Sequence, residues 1–230
     1  MAIQLVVFDM AGTTVYDGDA VNVCLRAALD AAGFTVTRDA VNGVMGLPKP
    51  EAIRQLALSG AADPATITPA LVAATHADFV ARMIRYYEDD PAVRGTDGAT
   101  AVFQRLHAAG VKVALDTGFS RDIADIILRR FGWVRDGLVD ATVTSDEVAR
   151  GRPFPDLVLR AMALTGVTDP RVVAKVGDTP ADLREGEAAG CGVVVGVTSG
   201  SHTRDELLPW PHTHLIEHLD ELPPILGLPR

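Results

Sequence analysis

The chain has 230 residues, 48% of them hydrophobic, and carries a net charge of −9. With a mean hydropathy of +0.19, it reads as a globular protein large enough for one α/β domain or a core with a smaller insertion. No Lys/Arg cluster offsets the acidity, which argues against nucleic acid and anionic membranes as partners, and no apolar run reaches the roughly 20 residues of a membrane span.

In chain order, Ile3 to Phe8 is a short apolar run with one polar break at Gln4, predicting a buried strand that ends on Asp9. Asp19 to Ala32 has helical apolar spacing, with Asp19 near the N-cap and Gly33 as the stop. Residues 38–46 predict a short helix ending at Gly46. Leu47-Pro48-Lys49-Pro50 then fits no regular element easily. Helix resumes from Glu51 to Leu58 and again from Pro69 to Tyr87, so residues 16–90 are expected to be all helical. After Pro91 the texture alternates. Helices at 96–109, 122–131, 155–164 and 181–189 interleave with strands at 111–115, 141–144, 172–176 and 191–197. That alternation predicts a doubly wound parallel sheet, with 1–15 and 91–230 as core domain and 16–90 as a helical insertion. The tail, with His212, His214 and His218, reads as solvated rather than as a zinc site. Two cysteines far apart, Cys24 and Cys191, and an N-terminus that enters a strand directly predict a cytoplasmic protein.

The chemistry gathers where strands end. Asp9-Met10-Ala11-Gly12-Thr13-Thr14 delivers a carboxylate to the carboxyl edge of the sheet, where open α/β sheets place ligands. Taken alone, Asp9 reads first as a turn or helix cap, and three later stretches decide against that. Asp116-Thr117-Gly118-Phe119-Ser120 leads into a helix N-terminus with hydroxyls suited to an anion. Arg152 sits in a loop stiffened by Pro153 and Pro155, a guanidinium that stays charged and matches phosphoryl oxygens. Asp178 and Asp182 lie four residues apart after an apolar strand, hard oxygen ligands suited to Mg²⁺ or, more plainly, a cap plus a helix acid.

In this order the four stretches resemble the haloacid dehalogenase superfamily, and the resemblance covers the whole chain. Where its phosphatases carry a second acid in the first motif, this chain has Ala11, so a leaving oxygen lacks its proton donor. With Arg152 in place of the usual lysine and the segment Met45-Gly46-Leu47-Pro48-Lys49, the chain is similar to the phosphonoacetaldehyde hydrolase branch.

The resemblance implies hydrolysis of the C–P bond of a 2-oxoalkylphosphonate. Asp9 would attack phosphorus to give an aspartyl-phosphate, and Lys49 would form a Schiff base whose iminium accepts the C–P electrons. Mg²⁺ would be held by Asp9, the Ala11 carbonyl and Asp178, with Asp182 alongside. Thr117 and Arg152 would hold phosphoryl oxygens, Gly12 and Thr13 would add N–H groups to the cradle, and Met45 and Gly118 would line the substrate. A small phosphonate or phosphate is the expected partner, and the branch implies a homodimer. The branch's His three positions after the lysine and its Tyr after Thr-Gly are here Ala52 and Phe119. A phosphate-ester hydrolase, a 2-haloacid dehalogenase and a non-catalytic module with this fold are the competing readings.

Overall fold

The computed structural model describes residues 2–228. Its centre is a six-stranded, all-parallel sheet in the order β3-β2-β1-β4-β5-β6. The strands are β1 (Leu5–Asp9), β2 (Lys112–Thr117), β3 (Ala141–Thr144), β4 (Val173–Gly177), β5 (Val193–Val197) and β6 (His214–Ile216). Helices cover both faces, which is why β1 reads as an unbroken apolar run. Val6 and Phe8 point into one cluster with α5 (Ala99–Ala108) and α6 (Arg121–Phe131); Leu5 and Val7 point to the other, with α7 (Asp156–Thr165). On that second side α8 (Pro180–Ala189) lies against β4 and β5. The strand order reverses direction at β1 and β4, so their carboxyl ends open the crevice where such sheets bind ligands.

Between β1 and β2 run α1 (Ala20–Ala31), α2 (Arg38–Asn42), α3 (Lys49–Gly60) and α4 (Pro69–Asp89). The chain leaves for and returns from this segment side by side: Tyr16 N–H donates to Arg94 O at 3.0 Å and Thr96 N–H to Thr14 O at 2.9 Å. α4 packs on α1 and α3 and also on α6, bringing Phe79 and Tyr87 against Phe119, with ring centroids 6.3 and 6.1 Å away. Among the described residues no helix is long and apolar enough to cross a membrane.

Three local expectations change. Lys49 and Pro50 are not irregular; they open α3, where proline's missing N–H has no intrahelical partner to lose. Asp19 occupies the N-cap position of α1 with φ 70° but makes no capping bond; Asp17 caps instead, accepting from Val21 N–H at 3.1 Å, while Asp19 pairs with Arg38. The tail is not loose. It adds β6 beside β5, then the short helices α9 (Arg204–Leu207) before β6 and α10 (Leu222–Ile225) after it, and buries Leu207, Ile216, Leu219 and Leu222. Three residues of strand gave too little periodicity to read.

Candidate active site

Asp9 ends β1 and pairs in register with Asp116 on β2, while Val7 pairs with Lys175 on β4. Asp9, Asp116 and Lys175 therefore share one face of the sheet. Arg152 enters this face from its loop and is 3% exposed. Its Nη1 lies 2.7 Å from Asp9 Oδ1 and 3.0 Å from Asp182 Oδ1, its Nε donates to Glu185 at 3.0 Å, and its Nη2 pairs with Asp116. Lys175, fully buried, faces Asp116, Asp182 and Glu185, the last two at 3.2 Å.

These contacts add to the expected role of Arg152. It is held by four carboxylates, one of them Asp9. Burial lowers the Lys175 amine and Arg152 adds to this, but Asp116, Glu185 and Asp182 outweigh both, so its pKa is raised and it stays charged. Glu185 is pushed up to about 8, first by burial and then by Asp116, with Lys175 and Arg152 opposing.

The loop after β1 is also used differently. The N–H groups of Gly12 and Thr13 close its turn, donating to Val15 O at 2.8 Å and Met10 O at 3.2 Å, so they are not an anion cradle. Thr13 contributes its side chain, donating to Asp178 Oδ1 at 3.2 Å. Ser201, after β5, donates to Asp178 Oδ2 from its N–H at 2.7 Å and from its hydroxyl at 2.6 Å. Gly12 has φ +93°, and a Cβ there would strike the Asp178 carboxylate.

Asp9, Asp178 and Asp182 offer oxygens within 4.8 Å of one another. Asp182 is both the cap residue and the cluster acid: Oδ2 accepts from Thr179 N–H at 3.2 Å, while Oδ1 faces the Arg152 and Lys175 cations. Asp9 is raised to about 8 by burial, with Arg152 pulling it down and Asp182 and Asp178 pushing it further up. Asp178 is raised by burial and by Asp182. Buried hard-oxygen donors that repel one another fit a hard divalent cation.

Above the strand ends lies a cavity bounded by Asp9, Ala11, Asp17, Met45, Lys49 and Thr117, together with Gly118, Phe119, Arg152 and Ser201. It leaves about 30 Å³ for the centres of water molecules. The insert sits close on the sheet here: a Cβ on Gly118 would lie 2.9 Å from Leu47 O, so only glycine permits the approach. Thr117 Oγ1 accepts from Phe119 N–H at 3.1 Å, leaving its O–H to donate into the cavity.

Lys49 is 4% exposed. Its Nζ has Leu47 O at 3.5 Å and stands 5.5 Å from the centroid of the Phe119 ring. Burial lowers its pKa to about 8, against the attraction of Asp9, and Arg152 lowers it further. Its place in the first turn of α3 adds the positive end of that helix, which also disfavours the ammonium form.

The sites expected from sequence thus divide. Asp9, Ala11, Met45, Lys49, Thr117, Gly118 and Arg152 share the cavity wall; Asp178 and Asp182 lie beside Asp9; Gly12 and Thr13 shape the loop beneath. Asp17, Asp116, Lys175, Glu185 and Ser201 went unassigned. Lys175 was the readable one, a lone charge inside the apolar run Val172 to Val176.

The profile of the haloacid dehalogenase-like hydrolase family matches residues 3–190, and the chain belongs to that family. Within it, the chain is 32% identical to phosphonoacetaldehyde hydrolase of Latilactobacillus sakei, over 86% of this chain and 77% of the relative. It is 29% identical to that of Bacteroides fragilis over 96% of this chain and 87% of the relative, which puts the chain in the phosphonoacetaldehyde hydrolase-like branch. A crystal structure of a phosphonoacetaldehyde hydrolase like protein from Oleispira antarctica superposes with a TM-score of 0.82 at 23% identity, covering 99% of this chain and 92% of that one; this likeness concerns the fold.

Proposed function

We propose that the protein hydrolyses the C–P bond of a 2-oxoalkylphosphonate, phosphonoacetaldehyde or a close relative, using Lys49 and Asp9. The observation that carries this reading is the buried Lys49 amine, lowered to about 8, in the same cavity as Asp9 and with Ala11 rather than an acid beside the nucleophile. A neutral amine attacks the carbonyl and loses water to give an iminium. The C–P electron pair then flows into that iminium, leaving an enamine on carbon, while Asp9 Oδ bonds phosphorus. Water hydrolyses the aspartyl-phosphate and supplies the proton that the carbon takes. Hydrolysis of the resulting iminium frees Lys49.

Arg152 holds Asp9 in line and meets the phosphoryl oxygens as Asp9 turns from salt-bridge partner to phosphorus ligand. Thr117 donates its free O–H to another phosphoryl oxygen. Asp9, Asp178 and the Ala11 carbonyl would hold Mg²⁺, which supplies charge neutralisation at the phosphoryl group. Residues 16–90 act as a cap whose α3 end carries Lys49 over the sheet and keeps bulk water out.

An ester hydrolase would need an acid to protonate the leaving oxygen, and Ala11 removes it from the usual place. The test is a comparison of phosphate release from phosphonoacetaldehyde and from small phosphate esters by the same preparation. Release from the phosphonate alone supports the proposal; release from esters alone overturns it.

A further inference from the structure

Imine formation at Lys49 requires protons to move between nitrogen and oxygen, and four ionisable side chains line the cavity: Asp9, Asp17, Lys49 and Arg152. Asp9 is the nucleophile, Arg152 is locked and permanently charged, and Lys49 is the amine. Ala52, at the position where the branch carries its histidine, is fully buried in α3 and does not line the cavity. The hydroxyls of Thr179 and Ser201 are committed to Asp182 and Asp178. Resting on the C–P reading above, we infer that Asp17 is the general acid–base of Schiff-base formation and hydrolysis at Lys49.

The geometry suits that work. Asp17 Oδ1 is fixed by the Val21 N–H at 3.1 Å, and its backbone carbonyl accepts from Ala20 N–H at 2.9 Å and from the Tyr86 hydroxyl at 3.4 Å. Oδ2 has no hydrogen-bond partner among the described residues and is free to carry a proton. The same carboxylate lines a second, outer cleft of about 360 Å³ that adjoins the cavity along Asp17, Met45 and Ser201. Asp17 therefore borders both the cavity that holds Lys49 and the outer cleft. Burial raises Asp17 to about 6, opposed by its bond from Val21, with Asp178 and Asp19 raising it and Lys49 lowering it. Both protonation states are thus within reach near neutrality.

The protons balance. Asp17 begins as the carboxylic acid: attack by neutral Lys49 forms the N–C bond and leaves N⁺–H₂ and O⁻, Asp17 gives its proton to the oxygen and takes one back from the nitrogen. As carboxylic acid it then protonates the hydroxyl, which departs as water while the nitrogen lone pair forms C=N⁺. After C–P cleavage and protonation of the enamine carbon, the Asp17 carboxylate takes a proton from the water that attacks the second iminium. It ends as it began.

The test compares the wild-type chain, Asp17→Asn and Asp17→Ser by time-resolved borohydride trapping with phosphonoacetaldehyde, alongside kcat, KM and melting temperature. Asn and Ser keep an oxygen to cap α1, so the melting temperature separates capping from proton transfer. The expected result is Lys49 adduct formation and kcat slowed on the order of 10²-fold or more in both variants, with melting and KM little changed. Asp17→Ala should regain part of the rate in added formate. Adduct formation at the wild-type rate in either folded variant overturns the role of Asp17 while leaving the C–P reading standing. A wild-type chain that forms no Lys49 adduct removes both.

Discussion

Two buried lysines sit on opposite sides of Asp9, and they are in opposite electrostatic states. Lys175, below the strand ends, has Asp116, Asp182 and Glu185 around it, and its pKa is raised. Lys49, delivered from the helical insert, has a carbonyl at 3.5 Å and an aromatic face, and its pKa is lowered to about 8. Burial pulls both down; partners decide the outcome. The lower region is a dense ion-pair network that holds Asp9 through Arg152. The upper region leaves an amine short of partners, as an amine must be if it is to attack a carbonyl.

The comparison can be broken at several strengths. Asp9→Asn should lower C–P hydrolysis by a factor on the order of 10⁴ or more, the scale of losing a covalent nucleophile, without unfolding the chain. Steady-state phosphate release checks it. Lys175→Met should cost about 3–5 kcal/mol of stability, because it leaves Arg152 alone to balance the buried carboxylates; denaturant unfolding reads this.

Lys49→Met should do the reverse, abolishing turnover while stabilising the fold by about 0.5–2 kcal/mol. The sign follows from linkage. With a pKa of about 8 folded against 10.5 ordinarily, Lys49 leaves the folded chain with fewer protons between those values. Its contribution is therefore full above 10.5 and lost as pH falls through 8, a dependence the Met variant lacks. If Lys49→Met and Lys175→Met destabilise equally, the two regions are not different in kind.

The rate of Lys49 adduct formation should level off between pH 6 and 8 and fall about tenfold per pH unit below 6, as the amine protonates with Asp17 already acidic, and above 8, as Asp17 loses its proton. A rate that keeps rising from pH 8 to 10 would contradict a lowered lysine paired with an acid. The smallest effect is expected from Phe119→Tyr, a change within a few-fold in kcat, because the ring keeps its contacts with Phe79 and Tyr87.

The fold was largely legible because parallel strands buried on both faces are long apolar runs: Ala141–Thr144 was read with its observed bounds, and β1 and β4 within two residues. The strand-end motifs were legible for the same reason, since each breaks such a run abruptly. What could not be read is how these side chains divide among themselves. Arg152 was expected on phosphate, and its hold on carboxylates could not be read, because Asp182 and Glu185 meet it only once α8 packs on β4. Gly12 and Thr13 were assigned N–H groups that the turn itself uses. Asp17 drew no reading from the sequence; only the cavity wall distinguishes it.

The central claim is that Lys49 forms a covalent imine with the substrate carbonyl. Incubation with phosphonoacetaldehyde, reduction with borohydride and peptide mass spectrometry test it directly. The account predicts a reduced two-carbon adduct on Lys49, absent in Lys49→Ala, together with phosphate release when reductant is omitted. Phosphate release from phosphonoacetaldehyde with no adduct on Lys49 would contradict it.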